Sequence, residues 1–98
     1  MGKIIFSVRY EIKPEKRNEY LETIRELKNI VSAEGLESYS IFEDKSKSGF
    51  FEEIYIFDNA DSYEKFDDAE NERVEILVNK LSSYIKENST KYVTLSEV

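Results

Sequence analysis

Two charged residues interrupt apolar stretches of this sequence, and they are the first candidates for chemistry. Arg9 lies in "KIIFSVRYEIK" and Glu53 lies in "FFEEIYIF". A charge buried on a sheet needs an opposite charge or hydrogen bonds, because its desolvation is costly. Two interpretations stay open. Either Arg9 binds an anionic substrate while Glu53, with a raised pKa, accepts a proton, or the two form a salt bridge that fixes the register of an interface.

Several common chemistries are excluded by the residue types that are missing. The sequence contains no histidine and no cysteine, so it offers neither the usual general base near neutral pH nor a thiolate nucleophile. The acidic run at 67–72 lacks the spacing of a calcium-binding loop, and a solvated helix junction explains it better than a cation site. We therefore expect no metal site.

The charge balance also limits the partners. Fourteen basic and twenty-one acidic residues give a net charge of −7, which disfavours binding to nucleic acid or to an anionic membrane surface. No apolar run approaches the length of a transmembrane helix, so we expect a cytoplasmic protein. The 98 residues predict one domain that spans residues 1–98.

Hydrophobic periodicity predicts the order strand, helix, strand, strand, helix, strand. The strands are expected at 3–13, 36–43, 50–57 and 91–98, the first helix at 15–33, and a broken helical region from Asp61 to Ile85. This is the βαββαβ order of an α+β, ferredoxin-like fold. Right-handed crossovers then place both helices on one face of a four-stranded antiparallel sheet.

The other face of that sheet has no helix to cover it. We assign the following residues to the helix-covered face: Phe6, Val8, Tyr10, Ile54, Ile56, Val93 and Leu95. We assign a second set to the uncovered face: Ser7, Arg9, Phe51, Glu53, Tyr55, Phe57 and Tyr92. Because contiguous exposed rings usually mark an interface, we predict a homodimer through this face. The alternative is a hydrated sheet with scattered surface aromatics.

Three stretches resemble a known family: "YEIKPEKRNEYLETI", "GLESYSIFED" and "EEIYIFDNADSYEKF". They are similar to the antibiotic biosynthesis monooxygenase family of dimeric α/β barrels, over about residues 4–85. Two positions depart from the family pattern. Phe66 stands where the family often has a histidine, and Tyr55 or Phe57 stands where it often has a tryptophan.

The resemblance implies a function as well as a fold. It implies a cofactor-independent monooxygenase that acts on a small aromatic or quinol-like compound held in a dry pocket. Hydroxyl groups of Tyr10 and Tyr39 would then stabilise an oxyanion, while Tyr63, Phe66 and Tyr55 would bind the substrate. Two alternatives stay open: these rings are core aromatics, or the chain is a non-catalytic homodimer that binds a small ligand or has a structural role.

Overall fold

The computed structural model describes residues 2–66 and 71–98, and within them it confirms the ferredoxin-like order. The elements are β1 (Ile4–Glu11), α1 (Arg17–Ile30), β2 (Leu36–Glu43), β3 (Phe50–Phe57), α2 (Ala60–Lys65), α3 (Glu72–Tyr84) and β4 (Lys91–Ser96). The strands form one antiparallel sheet in the order β2-β3-β1-β4. Helices α2 and α3 together occupy the place of the second helix.

The helix boundaries follow from local signals. Pro14 opens a short 3-10 turn that leads into α1, as its fixed φ favours. Helix α2 is capped by the side chain of Asn59, which accepts a hydrogen bond from the backbone N–H of Ser62. The acidic run at 67–72 lies partly outside the described residues, and Asn71 within it caps α3.

The assignment of the sheet faces is confirmed for β1 but wrong for β3 and β4. In the register, Val8 pairs with Glu53 and with Tyr92, and paired residues project to the same side of a sheet. The helix-covered face therefore carries Phe51, Glu53, Tyr55, Phe57 and Tyr92. Because both sides of β3 are apolar, a period of two alone does not show which side the helices cover.

We call the opposite surface the open face. It carries polar residues, among them Ser7, Arg9 and Glu52, and an apolar set that consists of Ile5, Phe42, Ile54, Ile56, Val93 and Leu95. Phe42, Val93 and Leu95 are 56%, 48% and 55% exposed. The main core lies on the other side, where α1 and α3 pack over the sheet through Ile24, Leu27, Leu77 and Leu81. Within the described ranges no helix is long and apolar enough to cross a membrane.

Candidate functional site

A carboxylate surrounded by tyrosine hydroxyls lies under the helices. Glu53, in the middle of β3, is only 7% exposed. The hydroxyl of Tyr10 donates to its Oε2 at 2.5 Å, and the hydroxyl of Tyr39 donates to its Oε1 at 2.6 Å. Tyr55 adds a longer contact of 3.4 Å to Oε1. Hydrogen bonds to a charged acceptor are the strong ones, so these hydroxyls stabilise the ionised carboxylate in a buried position.

Strand pairing explains how residues far apart in the sequence reach one carboxylate. Tyr10 of β1 pairs with Phe51, and Tyr39 of β2 pairs with Tyr55. Each tyrosine is thus a diagonal neighbour of Glu53, two positions along β3. Diagonal neighbours on one face are about 7–8 Å apart at Cα, within reach of long side chains. The central strand presents the acid, and a strand on each side presents a donor.

The electrostatics keep both tyrosines protonated. Burial raises the pKa of Tyr10 and of Tyr39 well above the ordinary value of a phenol, and the negative charge of Glu53 raises it further. A protonated phenol has one hydrogen to donate, and an ionised carboxylate can only accept. Tyr10 and Tyr39 therefore serve as fixed donors, which leaves Glu53 as the group of this cluster that can take up a proton.

A cavity of about 520 Å³ opens onto this cluster between the sheet and α3. Its floor is formed by Phe6, Val8, Tyr10, Glu53 and Tyr55, and α3 contributes Val78 and Leu81. Lys86, Thr90 and Tyr92 lie towards its end near β4. The volume falls in the range of small-molecule sites, which combine apolar walls with a few polar groups. The cavity can hold a small ring compound against the Glu53 carboxylate.

The predicted substrate-binding residues are divided between this cavity and its surroundings. Tyr55 lines the cavity. Tyr63 packs on Phe6 and Phe57, with ring centroids 5.8 and 5.5 Å apart. Phe66 packs behind Tyr55 at 5.6 Å. Tyr63 and Phe66 therefore pack beside the aromatic residues of the floor and are not part of the cavity lining.

Arg9 lies on the opposite side of the sheet, and the predicted pairing of Arg9 with Glu53 is wrong. Arg9 binds Asp44 at 2.6 Å and Glu52 at 3.5 Å, and its guanidinium lies 5.8 Å from the centre of the Phe50 ring. The reason is strand parity, because Arg9 pairs with Glu52 in the register. Neither the shared substrate site nor the interfacial salt bridge expected for Arg9 and Glu53 is formed.

Sequence reasoning missed several residues of the site. Val78 and Leu81 lie on the apolar side of α3, and an apolar helical stripe does not distinguish a filled core from a cavity wall. Lys86, whose ammonium binds Glu11 at 2.8 Å, has no sequence signal. Tyr20 of α1 is fully buried, and its hydroxyl lies 2.8 Å from that of Tyr10. The spacing of ten residues between these tyrosines predicts no contact.

A metal centre is not found among the residues that the structure describes. No three carboxylate, histidine or cysteine side chains in these ranges are placed to hold an ion. Every buried side-chain nitrogen or oxygen in the same ranges has a hydrogen-bond partner.

Comparison with known proteins identifies the family. Residues 4–73 match the family model described as antibiotic biosynthesis monooxygenase. The chain belongs to this family. Proteins of the antibiotic biosynthesis monooxygenase family are generally dimeric. A search of curated proteins finds no match.

Solved structures share the family fold at low sequence identity. A conserved protein from Methanosarcina mazei Go1 has a TM-score of 0.80 and is 16% identical, with 97% of this chain and 92% of that chain covered. A mutant of SnoaB, a cofactor-independent oxygenase from Streptomyces nogalater, has a TM-score of 0.77 and is 8% identical, with 99% and 94% covered. Rv0793 from Mycobacterium tuberculosis has a TM-score of 0.79 and is 9% identical, with 98% of this chain and 95% of that chain covered. At these identities the likeness establishes the fold of this family member.

Proposed function

We propose that this family member is a cofactor-independent monooxygenase that oxidises a small phenol or quinol-like compound in the cavity beside Glu53. The observation that carries the proposal is the buried carboxylate on the cavity floor, with tyrosine donors on both of its oxygens. Membership of the family supports the reaction class. The SnoaB structure, described as a cofactor-independent oxygenase, supports chemistry without a cofactor.

The reaction starts with a proton transfer to Glu53. A phenol bound with its hydroxyl towards this carboxylate loses its proton and becomes an electron-rich phenolate. A general base is most effective when it lies within hydrogen-bond reach of the proton that it removes. Tyr10 and Tyr39 hold the carboxylate in place, and their fixed orientation avoids reorganisation during the transfer.

The phenolate then reacts with molecular oxygen. A carbon–oxygen bond forms at the ring carbon opposite the phenolate oxygen, and the distal oxygen takes up the proton held by Glu53 to give a hydroperoxide. The O–O bond breaks as the same carbon loses its hydrogen as a proton to the departing hydroxide, so that a second carbonyl forms and water leaves. The net change is one phenol and one O₂ to one quinone and one water. The ring supplies the electrons, and Glu53 returns its proton to the departing oxygen.

The walls of the cavity fit a planar, neutral ligand. Phe6 stacks on Tyr92 with ring centroids 6.2 Å apart, and both rings line the cavity together with Val8 and Leu81. These rings and aliphatic side chains hold a ring compound against the floor, whereas Lys86, Glu87, Asn88 and Thr90 line another part of the cavity.

Oxygen uptake with a panel of one- to three-ring phenols and quinols tests the proposal. We expect at least one phenol to give equal amounts of O₂ consumed and quinone formed, with water and not hydrogen peroxide as the second product. Glu53→Gln removes the base and should lower kcat by a factor of about 100 or more. Tyr84→Phe, near the end of α3 and outside the cavity lining, serves as the matched control. No catalysed uptake across the panel would refute the enzyme, and saturable binding without uptake would favour the non-catalytic ligand-binding module.

We also propose that two copies join through the open face. Phe42, Val93 and Leu95 are large apolar side chains, each about half exposed, and burial of such surface stabilises association by roughly 25 cal/mol per Å². The aliphatic residues, rather than the predicted aromatic ones, would form the contact. The general dimerisation of the family supports this arrangement.

Light scattering at micromolar concentration tests the dimer. The wild-type chain should have twice the mass of one subunit, and Leu95→Glu should reduce it to one, because a charge is costly to bury at an interface. Ile76→Glu is the control, since Ile76 is also apolar and 43% exposed but lies on α3, away from the open face. A folded wild-type monomer would refute the proposal.

A further inference from the structure

A chain of hydrogen bonds connects the cavity to a buried side chain of α1. Glu53 and Tyr10 line the cavity, whereas Tyr20 does not. Tyr20 is fully buried on α1, where its ring packs on Phe51 at 4.5 Å and edge-on to Tyr10 at 5.8 Å. Its hydroxyl lies 2.8 Å from the Tyr10 hydroxyl. Three groups thus follow one another, from Tyr20 through Tyr10 to Oε2 of Glu53.

The direction of these bonds follows from counting hydrogens. Tyr10 has one hydroxyl hydrogen, and the ionised Glu53 has none to give, so the hydrogen of Tyr10 lies on the bond to Glu53. The Tyr10 oxygen must then accept in its bond to Tyr20, and Tyr20 donates. Donation to the Tyr10 oxygen polarises its O–H group and strengthens the bond to the carboxylate, as in other hydrogen-bonded chains.

We propose that Tyr20 is a positioning residue for Glu53: by donating to Tyr10 it strengthens the hydrogen bond from Tyr10 to the carboxylate, and so stabilises Glu53 as an ionised proton acceptor. The catalytic meaning of this role rests on the proposed function, whereas the effect of Tyr20 on Glu53 can be measured without it. Without the Tyr20 hydroxyl, the Tyr10 O–H group is less polarised and its hydrogen bond to Glu53 weakens.

Charged and titratable groups approach the Tyr20–Tyr10–Glu53 hydrogen bonds from three sides. Glu43 acts on Tyr20 from the end of β2, and burial, the largest cause, raises the pKa of the Tyr20 hydroxyl. Tyr39 and Tyr55 approach Glu53 from β2 and β3. Lys86 and Glu87 line the same cavity beyond α3. Tyr20→Phe changes none of these side chains, so its effect on Glu53 reports the hydrogen-bond chain.

The test is an NMR titration of the Glu53 side-chain carboxyl carbon in the full chain without ligand. The signal is assigned by its loss in Glu53→Gln. In Tyr20→Phe the titration midpoint should move to higher pH, in Tyr10→Phe it should move further in the same direction, and in Tyr84→Phe it should stay at the wild-type value. An unmoved or lowered midpoint in folded Tyr20→Phe would overturn the proposal.

A second variant covers the case in which Tyr20→Phe does not fold. Incorporation of 3-fluorotyrosine at position 20 keeps the ring and the hydroxyl but makes the phenol a stronger donor, so the Glu53 midpoint should move to lower pH. If Glu53 remains ionised down to acid unfolding, the Tyr10 hydroxyl proton is followed instead. It should move upfield in Tyr20→Phe and downfield with 3-fluorotyrosine, and no movement in either would contradict the proposal. Failure of every phenol in the oxygen assay would refute the proposed function but leave these shifts unchanged.

Discussion

Replacing Tyr39 by phenylalanine removes one hydroxyl from the Glu53 cluster and leaves the ring in place. The deleted bond is 2.6 Å long, is buried, and ends on a carboxylate oxygen. Hydrogen bonds to charged groups contribute about 1.5–3 kcal/mol. Tyr55, at 3.4 Å from the same oxygen, can move closer and offset part of the loss. We therefore expect the free energy of unfolding to fall by about 2 kcal/mol.

The charge on Glu53 is the assumption behind this value, and a double-mutant cycle isolates it. In a Glu53→Gln background the same change removes a neutral hydrogen bond, which contributes about 1 kcal/mol. The coupling between the two positions should therefore be about 1 kcal/mol. Urea unfolding at one fixed protein concentration measures all four chains, since the stability of the proposed dimer would depend on concentration.

The control for Tyr39→Phe is the same change at a tyrosine with an exposed hydroxyl. Tyr63→Phe removes an exposed hydroxyl whose bond to Thr94 is 3.3 Å long, and it should change stability by less than about 0.5 kcal/mol. If Tyr39→Phe costs no more than this control, or if the cycle gives no coupling, Glu53 is not a charged acceptor held by Tyr39. The proposed base would then lose its physical support.

Two further predictions concern Gly35 and Glu43, which lie outside the cavity lining. Gly35 has φ +82° and a Cβ added there would lie 2.0 Å from Ser62 Oγ, so Gly35→Ala should lower the free energy of unfolding by about 3 kcal/mol. Gly2→Ala, at the same φ but with open space around it, should cost far less in the same urea experiment. The Arg17 guanidinium and then the Gly49 N–H lower the pKa of Glu43 to about 2 from 4.5. A lowered folded-state pKa stabilises the fold above pH 4.5 and loses that effect towards pH 2, so the cost of Glu43→Gln, about 1 kcal/mol or less at pH 7, should disappear across this window. An unchanged cost at pH 2 would contradict the assignment.

The order of helices and strands was predictable from the sequence. Which side of β3 and of β4 faces the helices was not. In β1 the alternation is clean, since Ser7 and Arg9 separate apolar residues, and the face assignment is right there. In β3 and β4 apolar side chains occupy both sides. Only the pairing of β3 with β1 shows that Glu53 lies under the helices, and a strand slipped by one residue would reverse this.

The site was predictable in its residue types but not in its geometry. Tyr10, Tyr39 and Glu53 were named as candidates, and the structure brings these three together. Arg9 was grouped with them because it shares their buried, strand-borne character, although it lies on the other side of the sheet. Tyr20 was overlooked because α1 supplies it from ten residues away. Local patterns carry no information about such contacts between elements.

The buried charge and the cavity weaken the helix-side core, and this connects the proposed dimer to the cavity. A buried carboxylate and an open volume of about 520 Å³ both reduce what the helix-side core of a 98-residue chain contributes. Burial of the open face by a second copy would offset this loss with aliphatic contacts from Ile54, Val93 and Leu95. Leu95→Glu should therefore lower thermal stability along with the mass. Full stability in a monomeric Leu95→Glu chain would show that the helix-side core is sufficient alone and that the two faces are independent.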